Sequence, residues 1–150
     1  MHVECNVIGK VHNSVNEQTD TDWGKVISEV VLEESLRPGL KGLEDFSHVL
    51  ILTYLDQASF QREKHLFRRP QGREDMPVVG IFSQRAKDRP NPIGVTACEI
   101  IKIERDVLFV RGLDAINGTP VLDIKPYYPI YDQKNAEVPT WVDILMQEYF

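Results

Sequence analysis

The chain has 150 residues, with 17 Lys+Arg against 23 Asp+Glu, a formal net charge of −6 and 42% apolar content. That is ordinary composition for one globular domain over residues 1–150, long enough to bury about two thirds of its unfolded surface without a disulfide or metal staple. The longest apolar run, Val49 to Leu55, is too short to cross a bilayer, and Met1-His2-Val3-Glu4-Cys5 has neither the basic start nor the apolar core of a signal peptide. Cys5 and Cys98 lie far apart in apolar segments, so both are expected as buried free thiols in a reducing cytoplasm.

Glu4 to Val11 predicts a first strand and Lys25 to Leu32 a second, rich in Val and Ile. Pro38-Gly39 marks a turn before a short helical piece carrying Leu40, Leu43 and Phe46. His48 to Leu55 is nearly all apolar or β-prone, the pattern of a strand buried on both faces. Asp56 to Lys64 is ambiguous, with a short helix as one option, and Arg68 to Pro77 predicts an exposed loop. Val78 to Phe82 predicts a short strand. Ile93 to Ile103 and Val107 to Gly112 predict a hairpin turning through Glu104-Arg105-Asp106. After a short strand at Val121 to Ile124, Pro126 and Pro129 predict a stiff, extended segment. Thr140-Trp141-Val142-Asp143 approximates a capping box, and Val142, Leu145, Met146 and Tyr149 share one helical face. Many short strands and one clear helix predict a mainly β, single-domain, barrel-like fold with short helices and a C-terminal helix.

The acidic average conceals an asymmetry. Between Arg62 and Arg89 stand eight basic residues (Arg62, Lys64, Arg68, Arg69, Arg73, Arg85, Lys87, Arg89) against four acidic ones, a local charge of +4; the remainder, nine basic against nineteen acidic, carries −10. Such a window can meet a polyanion whatever the global sign, or be a solvated loop. No two glycines lie two residues apart, so there is no G-x-G phosphate turn, and there is no Walker A sequence. His2, His12, His48 and His65 show no metal-ligand spacing, so no built-in metal is expected. No G-x-S-x-G elbow supports a serine hydrolase.

Two segments concentrate chemistry. In Gly80-Ile-Phe-Ser-Gln-Arg85-Ala-Lys-Asp-Arg89-Pro-Asn91-Pro-Ile93-Gly94, two prolines pre-shape a loop, and two guanidinium forks can face a carboxylate or phosphate. In Gly112-Leu113-Asp114-Ala115-Ile116-Asn117-Gly118-Thr119-Pro120, Asn-Gly signals a tight turn and Asp114 stands where a strand would end. Taken singly, each reads as readily as a well-behaved turn.

Together with Gly42-Leu-Glu-Asp-Phe-Ser-His48, these segments resemble the signature blocks of the TrmO family (TsaA-like, YaeB-like), over most of the chain. The second block extends through Val121-Leu-Asp123-Ile-Lys125-Pro-Tyr127. The resemblance implies a small β-barrel that dimerises, binds S-adenosylmethionine near the subunit interface and N6-methylates threonylcarbamoyl-adenosine at tRNA position 37. Cofactor contacts are then expected at Asp56, Gln57, Arg85, Ile93, Leu113, Asp114, Ala115, Ile116 and Asn117. Asp114 and Asp56 are the candidate catalytic carboxylates. Arg89, Asn91, Arg68 and Arg69 are expected to hold the acceptor or tRNA phosphates, and Asp123, Lys125 and Tyr127 to shape the site; a structural ion pair is an equal reading of Asp123 and Lys125. The chain departs from the family pattern at Gln84 (usually Thr or Ser), Asn117 (usually Asp) and Asp56 (commonly His). The family's Pro-Arg-Gln cofactor loop is replaced by Glu17-Gln-Thr-Asp-Thr-Asp-Trp23. A non-catalytic module binding S-adenosylmethionine or RNA, and a methyltransferase for a small metabolite, are the competing readings.

Overall fold

The computed structural model describes all 150 residues. Its strands are β1 (Gly9–His12), β2 (Ile27–Leu32), β3 (His48–Tyr54), β4 (Phe67–Arg68), β5 (Val79–Gly80), β6 (Ile93–Glu104), β7 (Val107–Arg111) and β8 (Pro120–Pro126). Six of them close an antiparallel barrel in the order β1-β2-β7-β6-β3-β8, and β4 with β5 forms a separate pair. Three short α-helices, α1 (Arg62–His65), α2 (Pro129–Asp132) and α3 (Thr140–Met146), and five 3₁₀ segments, the longest at Glu34–Leu40, complete the chain.

The barrel interior follows from two-residue alternation. Val11, Val30, Val49, Ile51, Leu108, Val110 and Val121 are fully buried and point inward, each such burial being worth about 1.5–3 kcal/mol. In β3 the alternation is plain: Val49, Ile51 and Thr53 are buried, whereas Leu50 and Leu52 are only half-buried. This corrects the expectation of a strand buried on both faces, since a single-layer barrel has one dry face.

Two bulges keep long strands in phase with the core. In β6 the register passes from Ile100 opposite Val110 to Lys102 opposite Phe109, leaving Ile101 over. In β8 it passes from Val121 opposite Thr53 to Asp123 opposite Leu52, leaving Leu122 over. Val121 and Ile124 therefore both turn inward, while Asp123 and Lys125 turn outward. The β6–β7 hairpin closes through Arg105 and Asp106, both left-handed (φ +50° and +61°), as a two-residue type I′ turn requires.

Several expectations are corrected. The first strand is confined to Gly9–His12, because only there do β2 and β8 offer partners; Cys5 precedes it and is exposed. The stretch from Arg68 to Pro77 is not an open loop: it holds strand residue Arg68, a 3₁₀ turn at Pro70–Gly72, and buried Pro70 and Met76. Pro129 opens helix α2 instead of extending the chain, and Asp132 Oδ2 accepts the Tyr128 N–H at 2.8 Å. Helix α3 begins at Thr140 with Pro139 as its N-cap, so the Thr-x-x-Asp box makes no side-chain cap.

Candidate functional site at one rim of the barrel

The strand directions collect the motif residues. Antiparallel pairing sets the end of β3 beside the start of β6, with Tyr54 opposite Ile93. Strand β7 ends at Arg111 opposite Glu99, from where the chain runs on along β6 toward the same rim and brings Asp114 to Thr96. Asp56 and Gln57 follow β3 there, Ile93 opens β6, and Leu113 to Asn117 follow β7. A β-carbon on Gly94 would stand 2.5 Å from Thr53 Oγ1. The missing side chain lets β3 and β6 close tightly, and just beyond them Leu55 N–H donates to Pro92 O at 2.8 Å. Asp56 and Gln57 are exposed, and the Asp56 carboxylate makes no hydrogen bond within the protein.

Asp114 lies half-buried between buried Leu113 and Ala115. Its Oδ1 accepts the Thr96 hydroxyl, and its Oδ2 accepts the Tyr149 hydroxyl at 2.7 Å. Burial first, then the charge of Asp114, pushes the Tyr149 phenol well above its usual range, with Arg85 opposing. The guanidinium of Arg85 donates to Val95 O at 2.6 Å, beside Thr96. Burial likewise pushes the Cys98 thiol up to about 12, with Asp114 adding to it. Thr96 and Tyr149 did not stand out in the sequence; Tyr149 was legible only as one apolar position on a helical face.

The family departures have local causes. Asn117 is exposed and clasps the 13–16 loop: its Oδ1 accepts Asn13 N–H at 3.2 Å and its Nδ2 donates to Asn16 Oδ1 at 3.2 Å. A carboxylate could perform only the first. Buried Gln84 donates through Nε2 to Arg68 O at 3.1 Å and Val79 O at 3.2 Å, bridging the β4–β5 pair. Ile116 is half-buried and its carbonyl accepts the Thr119 hydroxyl at 2.7 Å, tightening the Asn-Gly turn.

Much of the basic window is engaged within the chain. Arg68 and Lys87 meet Asp88 at 3.4 and 3.0 Å, Arg73 meets Asp75 at 2.6 Å, and Arg69 donates to Met76 O. Arg89 donates to Gln84 O at 3.0 Å and Ala86 O at 3.3 Å, bracing the Arg-Pro-Asn-Pro loop on which Asn91 is exposed. Only Arg62 and Lys64, exposed on α1, are left without an ion pair or acceptor.

Asp123, Lys125 and Tyr127 are not brought to this rim. Asp123 and Lys125 form an ion pair of 2.6 Å on the outer surface, turned outward by the Leu122 bulge. Tyr127 N–H donates to His48 O at the opposite end of β3, which is six residue steps or about 20 Å from Tyr54. An apolar groove of about 460 Å³, lined by Leu32, Leu36, Leu40, Leu43, Phe46 and Ile124 among others, also lies away from the motif rim. No helix is long and apolar enough to cross a membrane.

A closed six-stranded barrel with an anchored carboxylate and a guanidinium at one rim defines a small ligand-binding barrel domain. The chain belongs to the tRNA-methyltransferase O N-terminal domain family, whose sequence profile matches residues 12–133. It is 36% identical over 132 residues to the S-adenosyl-L-methionine-binding protein of Archaeoglobus fulgidus, covering 85% of this chain and 91% of that one. It is 39% identical over 108 residues to the human tRNA (adenine(37)-N6)-methyltransferase, covering 72% of this chain but only 24% of the human protein. The crystal structure of TrmO from Pseudomonas aeruginosa superposes with a TM-score of 0.74 at 28% identity, over 93% of this chain and 62% of that one. The fold is thus the mainly β barrel that the sequence blocks implied.

Proposed function

We propose that this chain is an S-adenosylmethionine-dependent methyltransferase that methylates N6 of threonylcarbamoyl-adenosine at tRNA position 37, acting as a cytoplasmic homodimer. The observation that carries this reading is the gathering of Asp114, Arg85, Ile93 and the Asp56-Gln57 pair at one rim, in a chain similar to proteins named for that cofactor and that reaction. The donor set fits the cofactor: a carboxylate held by two hydroxyls offers an oriented pair of acceptor oxygens to a sulfonium cation. When bound, S-adenosylmethionine supplies the methyl group and departs as S-adenosylhomocysteine.

In-line displacement depends on alignment and on exclusion of water. Exposed Ile93 and half-buried Ile116 supply apolar surface, with Gln57 and the Asn117 turn as polar edges, while Leu113 and Ala115, buried in the core, fix the segment that carries Asp114. Asp114, with both oxygens engaged, acts as the electrostatic partner; Asp56, exposed and free, takes the N6 proton as general base. Arg85 and Asn91 are assigned to the acceptor, on the loop that Arg89 braces, and the unpaired Arg62 and Lys64 to the RNA phosphates, on an arm that Arg68 and Arg69 hold in place. Phe67 on β4, with Val78 and Phe82 bracketing β5, leaves an exposed apolar surface suited to a second copy.

Nucleoside mass spectrometry of tRNA from cells with and without the gene tests the assignment: methylated threonylcarbamoyl-adenosine is lost without it, and an unchanged position-37 profile overturns it. Sedimentation at micromolar concentration tests the dimer, which a monomer would exclude. A second reading, a non-catalytic S-adenosylmethionine-binding module, is favoured by one observation. The Archaeoglobus relative that the chain spans almost end to end is named a binding protein, whereas the named methyltransferase is about four times longer than the matched region. Tight cofactor binding without S-adenosylhomocysteine release on adding tRNA would support that reading.

A further inference from the structure

We infer that Tyr149 is a positioning residue for Asp114, and that the segment following α3 forms one wall of the cofactor site. The inference rests on reading Asp114 as the carboxylate that faces S-adenosylmethionine.

The two oxygens of Asp114 are gripped from two different parts of the chain. Thr96, on β6, donates to Oδ1, and Tyr149, beyond α3, donates to Oδ2 at 2.7 Å. With both oxygens held, the carboxylate cannot turn about its Cβ–Cγ bond without breaking a charge-assisted bond. The raised phenol keeps Tyr149 a donor throughout the neutral range. Each carboxylate oxygen retains a second lone pair, so the grip orients the anion without saturating it.

The segment carrying Tyr149 is itself fixed by the backbone. Asp22 N–H donates to Glu148 O at 2.9 Å and Trp23 N–H to Tyr149 O at 2.8 Å. A β-carbon on Gly24 would stand 2.7 Å from the Phe150 carbonyl carbon, so the approach requires glycine. Trp23 is buried, and its indole N–H donates to Thr19 O at 3.0 Å. Residues 17–23, which replace the family's Pro-Arg-Gln cofactor loop, are thereby linked through Tyr149 to Asp114. A tether alone would be complete with these backbone bonds and the aromatic ring. The hydroxyl on the carboxylate adds what a tether does not need: a defined direction for the negative charge.

The test is a double-mutant cycle on S-adenosylmethionine binding by the full chain, read by calorimetry with competition for weak constants. Tyr149→Phe keeps the ring and removes the donor, and is expected to weaken binding about tenfold. In an Asp114→Asn background the same change is expected to have almost no further effect, because Tyr149 acts through Asp114. Thr96→Val, which frees the other oxygen, should reproduce the loss. Unchanged affinity in Tyr149→Phe, or a tenfold loss that persists undiminished beside Asp114→Asn, overturns the positioning role alone. Absence of binding by the unsubstituted chain overturns the cofactor reading as well, and so separates the two failures.

Discussion

Asp88 and Arg68 meet at 3.4 Å across twenty residues of sequence, and the same carboxylate accepts the Ser59 N–H at 3.0 Å and the Lys87 ammonium at 3.0 Å. One aspartate thus ties the segment before α1 and the β4 arm to the Arg-Pro-Asn-Pro loop. Burial pushes Asp88 up, but the Ser59 N–H, Lys87 and nearby His65 outweigh it and hold the carboxyl below its usual value. A depressed folded pKa means that the stabilisation is present above the unfolded value, about 4, and is lost as pH falls through the lower folded value. Asp88→Asn is therefore expected to loosen residues 59–68 at neutral pH, seen as faster amide exchange there. The unsubstituted chain should show that loosening only in acid. Equal exchange in both at pH 7 would exclude the tie.

The two cysteines should behave oppositely toward an alkylating reagent. Cys98 is buried with its thiol pushed up to about 12, whereas Cys5 is exposed. Mass spectrometry at pH 8 is expected to find one label, on Cys5, in the native chain and two after denaturation. Raised in the folded state, Cys98 takes stability away only from about pH 9 upward, where the unfolded thiol ionises first.

Restoring the family's aspartate at 117 is expected to cost stability here. Asn117→Asp removes the donor to Asn16 Oδ1 and sets two acceptors together. The expected loss is about 1 kcal/mol, the worth of one net hydrogen bond, measurable by urea denaturation. A gain in stability would show that the 13–16 loop does not depend on the amide.

Arg62 and Lys64 are the two cations of the basic window with no partner in the chain, and they are expected to contribute most to any RNA contact. Arg62→Gln with Lys64→Gln should lower the salt slope of tRNA binding by about two, one per phosphate released. The stability of the chain should change little. Arg68→Gln should instead lower stability through Asp88.

Local patterns carried much of the fold. The Val- and Ile-rich β2, the position of β3 and the turn at Arg105-Asp106 depend on neighbours close in sequence, and they lay where the residue pattern put them, whereas the one-sided burial of β3 follows from closure of the barrel. The bulges at Ile101 and Leu122 were not legible, because a one-residue surplus exists only relative to a partner strand. Asp114 and Arg85 could be named from their motif, but Thr96 and Tyr149 could not. Their roles arise from approaches across 18 and 35 residues. The positive charge of the basic window was visible, whereas its internal neutralisation by Asp88, Asp75 and main-chain carbonyls required the folded arrangement.

Residues 17–23 hang outside the barrel ladder. Their bonds run to the segment after α3, to one another and to the adjoining Lys25 and Val26, while the six-strand ring closes without them. A lineage could therefore exchange this stretch wholesale, for another length or another charge, without renegotiating strand register. What it could not do independently is change the far end of the chain. The loop and the tail are two halves of one fitting, and substitutions in either are expected to be inherited in matched sets.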